Sequence, residues 1–197
     1  MVDLGDGPVR VCGLREIRIP GAHNLENAMA AALCAMVAGI GAETVRETLM
    51  AFPGVEHRIE FVREVDGVWF INDSKGTNPD ATIKAVEAME RPTVLLLGSY
   101  DKKSDFGPLI HAFGGRIKAV VALGETAQQV MAACARGGFK AVRYASESFK
   151  QAVEMAFTLA LPGENVLLSP ASASYDMFTD FEQRGREFKR IVWTLER

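Results

Sequence analysis

Apolar and polar positions follow two different periods along this chain. Short apolar runs at 68–71, 93–97, 119–123, 141–144 and 166–168 predict strands. The intervening segments 79–89, 106–113, 125–136, 148–159 and 175–195 carry apolar residues at helical spacing and predict helices. Strands that are apolar throughout, rather than at alternate positions, are those covered on both faces. The pattern therefore predicts an α/β fold, a mainly parallel, doubly wound sheet of about six strands with helices on both faces. Residues 59–65, then Asp66-Gly67, then 68–71 predict a hairpin, because Asp-Gly supplies the positive φ angles of a two-residue turn. One antiparallel strand is expected to begin the sheet.

The first fifty residues behave differently. Little strand signal follows Ile19, and two helical patterns, 24–38 and 42–52, are joined through Gly39-Ile40-Gly41. The longest apolar stretch, 28–40, is rich in Ala and Met and too short to span a bilayer, which predicts a buried helix. Pro53-Gly54 has the composition of a linker. With too few strands to enclose its apolar helices, the leading part is expected to be the tail of a preceding domain. The expected division is 1–54 and 55–197, and the chain is read as a fragment.

Composition narrows the function classes. A chain of 197 residues, 48% hydrophobic and 24% charged, can bury a core. A net charge of -3 offers no broad field to nucleic acid or an anionic membrane, so an anionic ligand must be met by local groups. Cys12, Cys34 and Cys134 are odd in number and widely separated, which suits free thiols in a reducing compartment. The start lacks a charged-then-apolar signal pattern. A cytoplasmic protein is expected, with no nucleic-acid or membrane partner.

Ligands of parallel α/β sheets bind outside the carboxyl ends of the strands, and polar clusters stand at four predicted strand ends. Asp73-Ser74-Lys75-Gly76-Thr77-Asn78 precedes Pro79 and a helical pattern; it reads either as a ligand site or as a turn capped by Thr77 or Asn78. Gly98-Ser99-Tyr100-Asp101-Lys102-Lys103-Ser104-Asp105 repeats the order strand, glycine, charges, helix, and a solvated loop would look similar. In Ser169-Pro170-Ala171-Ser172-Ala173-Ser174, hydroxyls near a helix start suit a carboxylate, or else Ser172 or Ser174 caps the helix with Phe178 and Phe181 as core. Gly124-Glu125-Thr126 is read as structural. Upstream, Asn24 and Asn27 lie three apart on one helical face after His23.

These segments, in this order, resemble motifs of the Mur ligases, ATP-dependent enzymes that add amino acids to the peptidoglycan precursor. Ile-Asn-Asp-Ser-Lys-Gly-Thr-Asn, Ser-Pro-Ala-Ser-Ala-Ser and Asp-Met-Phe-Thr-Asp-Phe-Glu-Gln-Arg-Gly are similar to those of the D-glutamate-adding branch. The resemblance implies a Rossmann-like C-terminal domain after the end of a central ATP-binding domain. It also implies formation of an amide through an acyl phosphate, with UDP-N-acetylmuramoyl-L-alanine, D-glutamate and ATP as substrates, Mg2+ as cofactor and a monomeric enzyme. Carried over by motif, Thr77, Lys102, Ser174 and Phe181 would hold D-glutamate, and Lys75 and Lys102 would be catalytic. Asn24, Asn27, Arg58 and Asp73 would address ATP. Ser99-Tyr100 and Asp101-Lys102-Lys103 replace smaller residues of the family pattern, so Lys103 is an alternative to Lys102. No metal ligand is assigned. The chain has no Gly-Lys dipeptide and hence no phosphate-binding loop of the Gly-x-x-x-x-Gly-Lys-Ser/Thr type. Phosphate cradling and the magnesium ligands are expected upstream, and this chain alone is expected to be inactive. Another Mur-type or folylpolyglutamate-type ligase, or a non-catalytic α/β binding module, remains the alternative.

Overall fold

The structure is a computed structural model that describes residues 1–3, 5, 7–100, 103–144 and 148–196. The chain divides into two compact units, Met1–Val55 and Glu56–Arg197. In the first, β1 (Val2–Asp3) pairs antiparallel with β2 (Pro8–Val9), and α1 (Ala22–Val37) is followed by α2 (Ala42–Ala51). A small core forms around Val11, Ala32 and Val45. The predicted buried helix is a correction: α1 buries only Ala28 and Ala32, while Met29, Leu33 and Val37 are exposed. Its apolar residues surround the helix, and within this unit α2 and a two-residue ribbon offer too little surface to cover them.

The second unit runs β3 (Glu60–Val65), β4 (Val68–Asn72), α3 (Pro79–Glu87), β5 (Thr93–Leu97), α4 (Gly107–His111), β6 (Ile117–Ala122), α5 (Ala127–Arg136), β7 (Val142–Tyr144), α6 (Phe149–Leu159), β8 (Asn165–Leu168) and α7 (Phe181–Trp193). The six strands lie in the order β3-β4-β8-β5-β6-β7; β3 pairs antiparallel with β4 and the other neighbours are parallel. The expected hairpin is present, with φ of 49° at Asp66 and 79° at Gly67.

Alternation along the central strands divides the core into two layers. Val94, Leu96, Val121, Val166 and Leu168 meet α6 and α7, where Phe157, Phe188 and Ile191 are buried. Leu95, Leu97, Val120 and Leu167 face α3, α4 and α5, with Val86, Leu109 and Val130. Coverage on both faces is why the strands carry no polar side.

Strand order also places the polar loops. The last strand, β8, inserts between β4 and β5, with Asn165 in register with both Trp69 and Thr93. The segments that leave β4, β8 and β5 therefore emerge side by side at the carboxyl edge. The last helix starts at Phe181 rather than at 175, because Asp180 caps it by accepting from Gln183 N at 2.6 Å. Met177 N and Phe178 N instead donate to Ser174 O in a turn. No helix among the described residues is long and apolar enough to cross a membrane.

Candidate functional site

The segment after β4 folds onto itself. Asp73 N donates to Leu168 O and Gly76 N to Asp73 O, and Asn78 caps α3 by accepting from Ala81 N at 2.9 Å. The Asp73 carboxylate points inward, accepting from Ser169 Oγ at 2.6 Å and from Ile59 N at 3.2 Å. Gly76 is needed here, since a Cβ would stand 2.6 Å from both Asp73 Oδ2 and Ser169 Oγ. Burial pushes the Asp73 carboxyl up to about 7, against the opposing pull of the Ser169 and Ile59 bonds and of the Arg58 and Arg184 charges.

Arg184, fully buried on α7, joins this segment to the one after β8. Its guanidinium donates to Ser74 Oγ, Ser74 O, Ser172 O and Ala173 O at 2.8–3.0 Å. Burial lowers its pKa to about 10, with Asp176 and Asp73 acting in the other direction. Ser74 Oγ in turn donates to Phe181 O. Phe181 is thereby held beside the loop, where Lys75 Nζ sits 3.8 Å from its ring centroid and the His57 ring meets it edge-on at 6.1 Å.

A turn at 56–60 lies against the same corner. His57 O accepts from Lys75 N, and His57 N donates to Glu60 Oε2. Arg58, between two tethered neighbours, is exposed. Among the described residues, Glu56, His57 and Glu60 form a group that could hold a metal ion. Lys189 Nζ already lies 2.6 Å from Glu56 and 2.9 Å from Glu60, so the carboxylates are neutralised from within. The donor set does not fit a Mg2+ site, which calls for several unpaired oxygens.

The structure brings Arg58, Asp73, Lys75 and Phe181 into one corner, with Thr77 half-buried in the adjoining loop and Ser174 buried in the segment that Arg184 holds. Lys102 lies outside the described residues; Lys103 is exposed, with φ 56°. Asn24 and Asn27 lie near the start of α1 in the other unit, where Asn24 Nδ2 donates to Pro20 O at 2.7 Å and Asn27 is exposed. Neither Ser172 nor Ser174 caps a helix, since Asp180 does so. The two phenylalanines also separate in role: Phe178 packs on Phe149 at 5.0 Å beside the core, and Phe181 faces Lys75. Thr126 stands at the N-cap of α5 but turns its hydroxyl to Ser99, a structural bond that joins neighbouring loops.

Asn72, Ser169 and Arg184 belong to this site although motif reading assigned them no role. Arg184 carried a signal, because it lies on the stripe with Phe188, Ile191 and Leu195, where an apolar residue is the rule. Asn72 carried a weaker one, as the polar end of an apolar strand.

Comparison with known proteins places the chain in a family. The family described as "Mur ligase, glutamate ligase domain" matches residues 57–172. A UDP-N-acetylmuramoylalanine--D-glutamate ligase of Thermoanaerobacter sp. is 47% identical over 198 residues, covering 100% of this chain and 43% of the relative. One of Clostridioides difficile is 42% identical, again over 100% of this chain and 43% of the relative. The chain thus spans less than half the length of these relatives. Among solved structures, a UDP-N-acetylmuramate-alanine ligase of Thermotoga maritima superposes with a TM-score of 0.66 at 18% identity, over 89% of this chain and 39% of that one. A Mycobacterium tuberculosis folylpolyglutamate synthase gives 0.65 at 18% identity, over 90% and 41%. At that identity the two share the fold. The match over residues 57–172, more than half of the chain, shows that it belongs to the Mur ligase family through the glutamate ligase domain.

Proposed function

We propose that this chain is the amino-acid-binding part of an ATP-dependent ligase that joins D-glutamate to UDP-N-acetylmuramoyl-L-alanine. The observation that carries the reading is identity of 42–49% over 90–100% of the chain to relatives named for that reaction. The grouping of Lys75, Arg58, Asp73 and Phe181 at one strand edge supports it.

In this reading ATP phosphorylates the alanine carboxylate, the D-glutamate amine attacks the acyl carbon, and phosphate leaves. The acyl phosphate makes the bond favourable to form, which leaves the protein to position reactants and offset charge. Lys75 and Arg58 present two exposed cations to the transferred phosphate. Lys102, Thr77, Ser174 and Phe181 hold D-glutamate, Ser174 with a hydroxyl and Phe181 as the apolar wall that also steadies Lys75. Asn24 and Asn27, in the first unit, serve the nucleotide, and Asp73, its carboxylate turned inward to Ser169 and Ile59, serves it by holding the loop that carries Lys75. Residues 1–54 form the end of the central ATP-binding domain and 55–197 the C-terminal domain. Among the described residues none is assigned to Mg2+. The enzyme acts as a cytoplasmic monomer on small molecules.

An NMR titration of the chain with D-glutamate, L-glutamate and lysine tests this directly. Stereoselective shifts at Thr77, Ser174 and Phe181 are expected; preference for L-glutamate or lysine would overturn the D-glutamate assignment. The purified chain is expected to form no amide bond from ATP and both substrates.

A further inference from the structure

We propose that Asn72 is a positioning residue that holds Arg58 and Lys75 in register as a pair, acting through the His57 imidazole. The proposal rests on the reading of Arg58 and Lys75 as the phosphate-facing cations.

The turn that carries Arg58 is strained on both sides. His57 has φ 67° and Ile59 has φ 44°, and neither is glycine. Such conformations persist only where the surroundings over-determine them. Here His57 N donates to Glu60 Oε2 at 3.0 Å, His57 O accepts from Lys75 N at 3.1 Å, and Ile59 N donates to Asp73 Oδ1 at 3.2 Å. The His57 ring fills the space over Gly185 of α7, where a Cβ would collide with Nδ1.

Asn72 stands at the centre of these ties and is fully buried. Its Oδ1 accepts from Ser74 N at 3.1 Å, which fixes the orientation of the amide. Its Nδ2 then faces the turn and donates to Glu60 Oε2 and His57 Nδ1, each at 2.9 Å. An amide nitrogen has only protons to offer, so His57 Nδ1 must accept and the ring must be the neutral Nε2–H tautomer. That nitrogen, buried and without a hydrogen-bond partner among the described residues, lies 3.6 Å from Glu56 Oε1. One side chain therefore spans the Arg58 turn and the Lys75 loop, and it does so only with a donor at the Nδ2 position. Aspartate, the isosteric alternative, would set a carboxylate against Glu60 and draw a proton onto His57 Nδ1.

The test is made in the full-length enzyme, with 15N-labelled histidine and steady-state kinetics on wild type, Asn72→Asp and Arg58→Ala. Wild-type His57 is expected to show an unprotonated Nδ1 and a protonated Nε2 at neutral pH. In Asn72→Asp, Nδ1 becomes protonated, and KM for ATP rises about tenfold while KM for D-glutamate changes less than about twofold, since a small displacement suffices for such a loss. A wild-type ring protonated on Nδ1 overturns the proposal. So does a folded Asn72→Asp enzyme with a switched ring and unchanged KM for ATP, if Arg58→Ala raises that KM. If Arg58→Ala leaves KM for ATP unchanged, it is the phosphate reading of Arg58 that fails, and this proposal falls with it. Should Asn72→Asp not fold, Asn72→Ser, which removes the bond to His57 without adding charge, is held to the same kinetic outcomes.

Discussion

Two corners of the same sheet edge are tied together by opposite charges. At one, the buried cation of Arg184 gathers Ser74, Ser172 and Ala173 and so joins the loops after β4 and β8. At the other, the half-buried carboxylate of Asp176 accepts from Ser99 Oγ at 2.6 Å and Glu125 N at 3.3 Å, joining the loops after β5 and β6 to the segment before α7. The first corner is buried, and among the described residues Ser74 O and Ser172 O accept from Arg184 alone, while Ala173 O also accepts from Tyr100 N at 3.1 Å. The second is open to solvent, which replaces lost bonds at little cost. The loops that carry Lys75 and Asp73 are thus held by the tie that is hardest to replace.

Breaking the cation has the largest expected effect. Arg184→Met takes the donor from Ser74 O, Ser172 O and Ser74 Oγ and one of two donors from Ala173 O, and stability is expected to fall by about 3–5 kcal/mol in a denaturant melt. A loss no larger than that of Asp176→Asn would erase the contrast between the corners.

The pH dependence of the Arg184 corner comes next. The folded pKa of Asp73, about 7, lies above its ordinary 3.8 because burial penalises the charge. The native state therefore binds the extra proton, and this contribution to stability is full below about pH 4 and lost as pH rises through about 7. Asp73→Asn keeps the bond from Ile59 N and removes the titration. The decline between those pH values should then flatten by roughly 2–4 kcal/mol, read from melts across the range. An unchanged slope would mean that Asp73 is not the titrating group.

Overpacking is expected to cost less. Gly185→Ala drives a methyl into the His57 ring and should destabilise by about 1–3 kcal/mol, with the His57 NMR signals moving. Silence in those signals would contradict the close contact. The smallest effect belongs to Asp176→Asn, about 1 kcal/mol, because the amide oxygen still accepts from Ser99 while solvent serves Glu125 N.

Much of the fold was legible because burial on both faces writes a continuous apolar run, and β4, β5, β6 and β8 all carry one. Asp66-Gly67 announced the hairpin for a local reason, its φ angles. Boundaries were less legible: the pattern 175–195 hid the cap at Asp180, since a turn that packs Phe178 on Phe149 has the same apolar spacing as helix. The burial of α1 was misread because apolar composition does not say whether a partner surface exists. Within the site, Lys75, Asp73 and Phe181 could be picked out by motif, whereas Arg184, Asn72 and Ser169 could not be given roles, as their partners lie far away along the chain.

What the sequence determined by itself was therefore local or periodic: which segments become strand or helix, where the tight turn falls, and which polar loops end the strands. Tertiary structure alone decided that β8 enters between β4 and β5, and so that residues near 74, 172 and 184 meet around one guanidinium. The reason is that hydrophobic periodicity reports how a residue faces its own element, while strand order is settled by packing among elements distant in sequence. The orientation of the His57 ring belongs to the same class, since it depends on an amide 15 residues away.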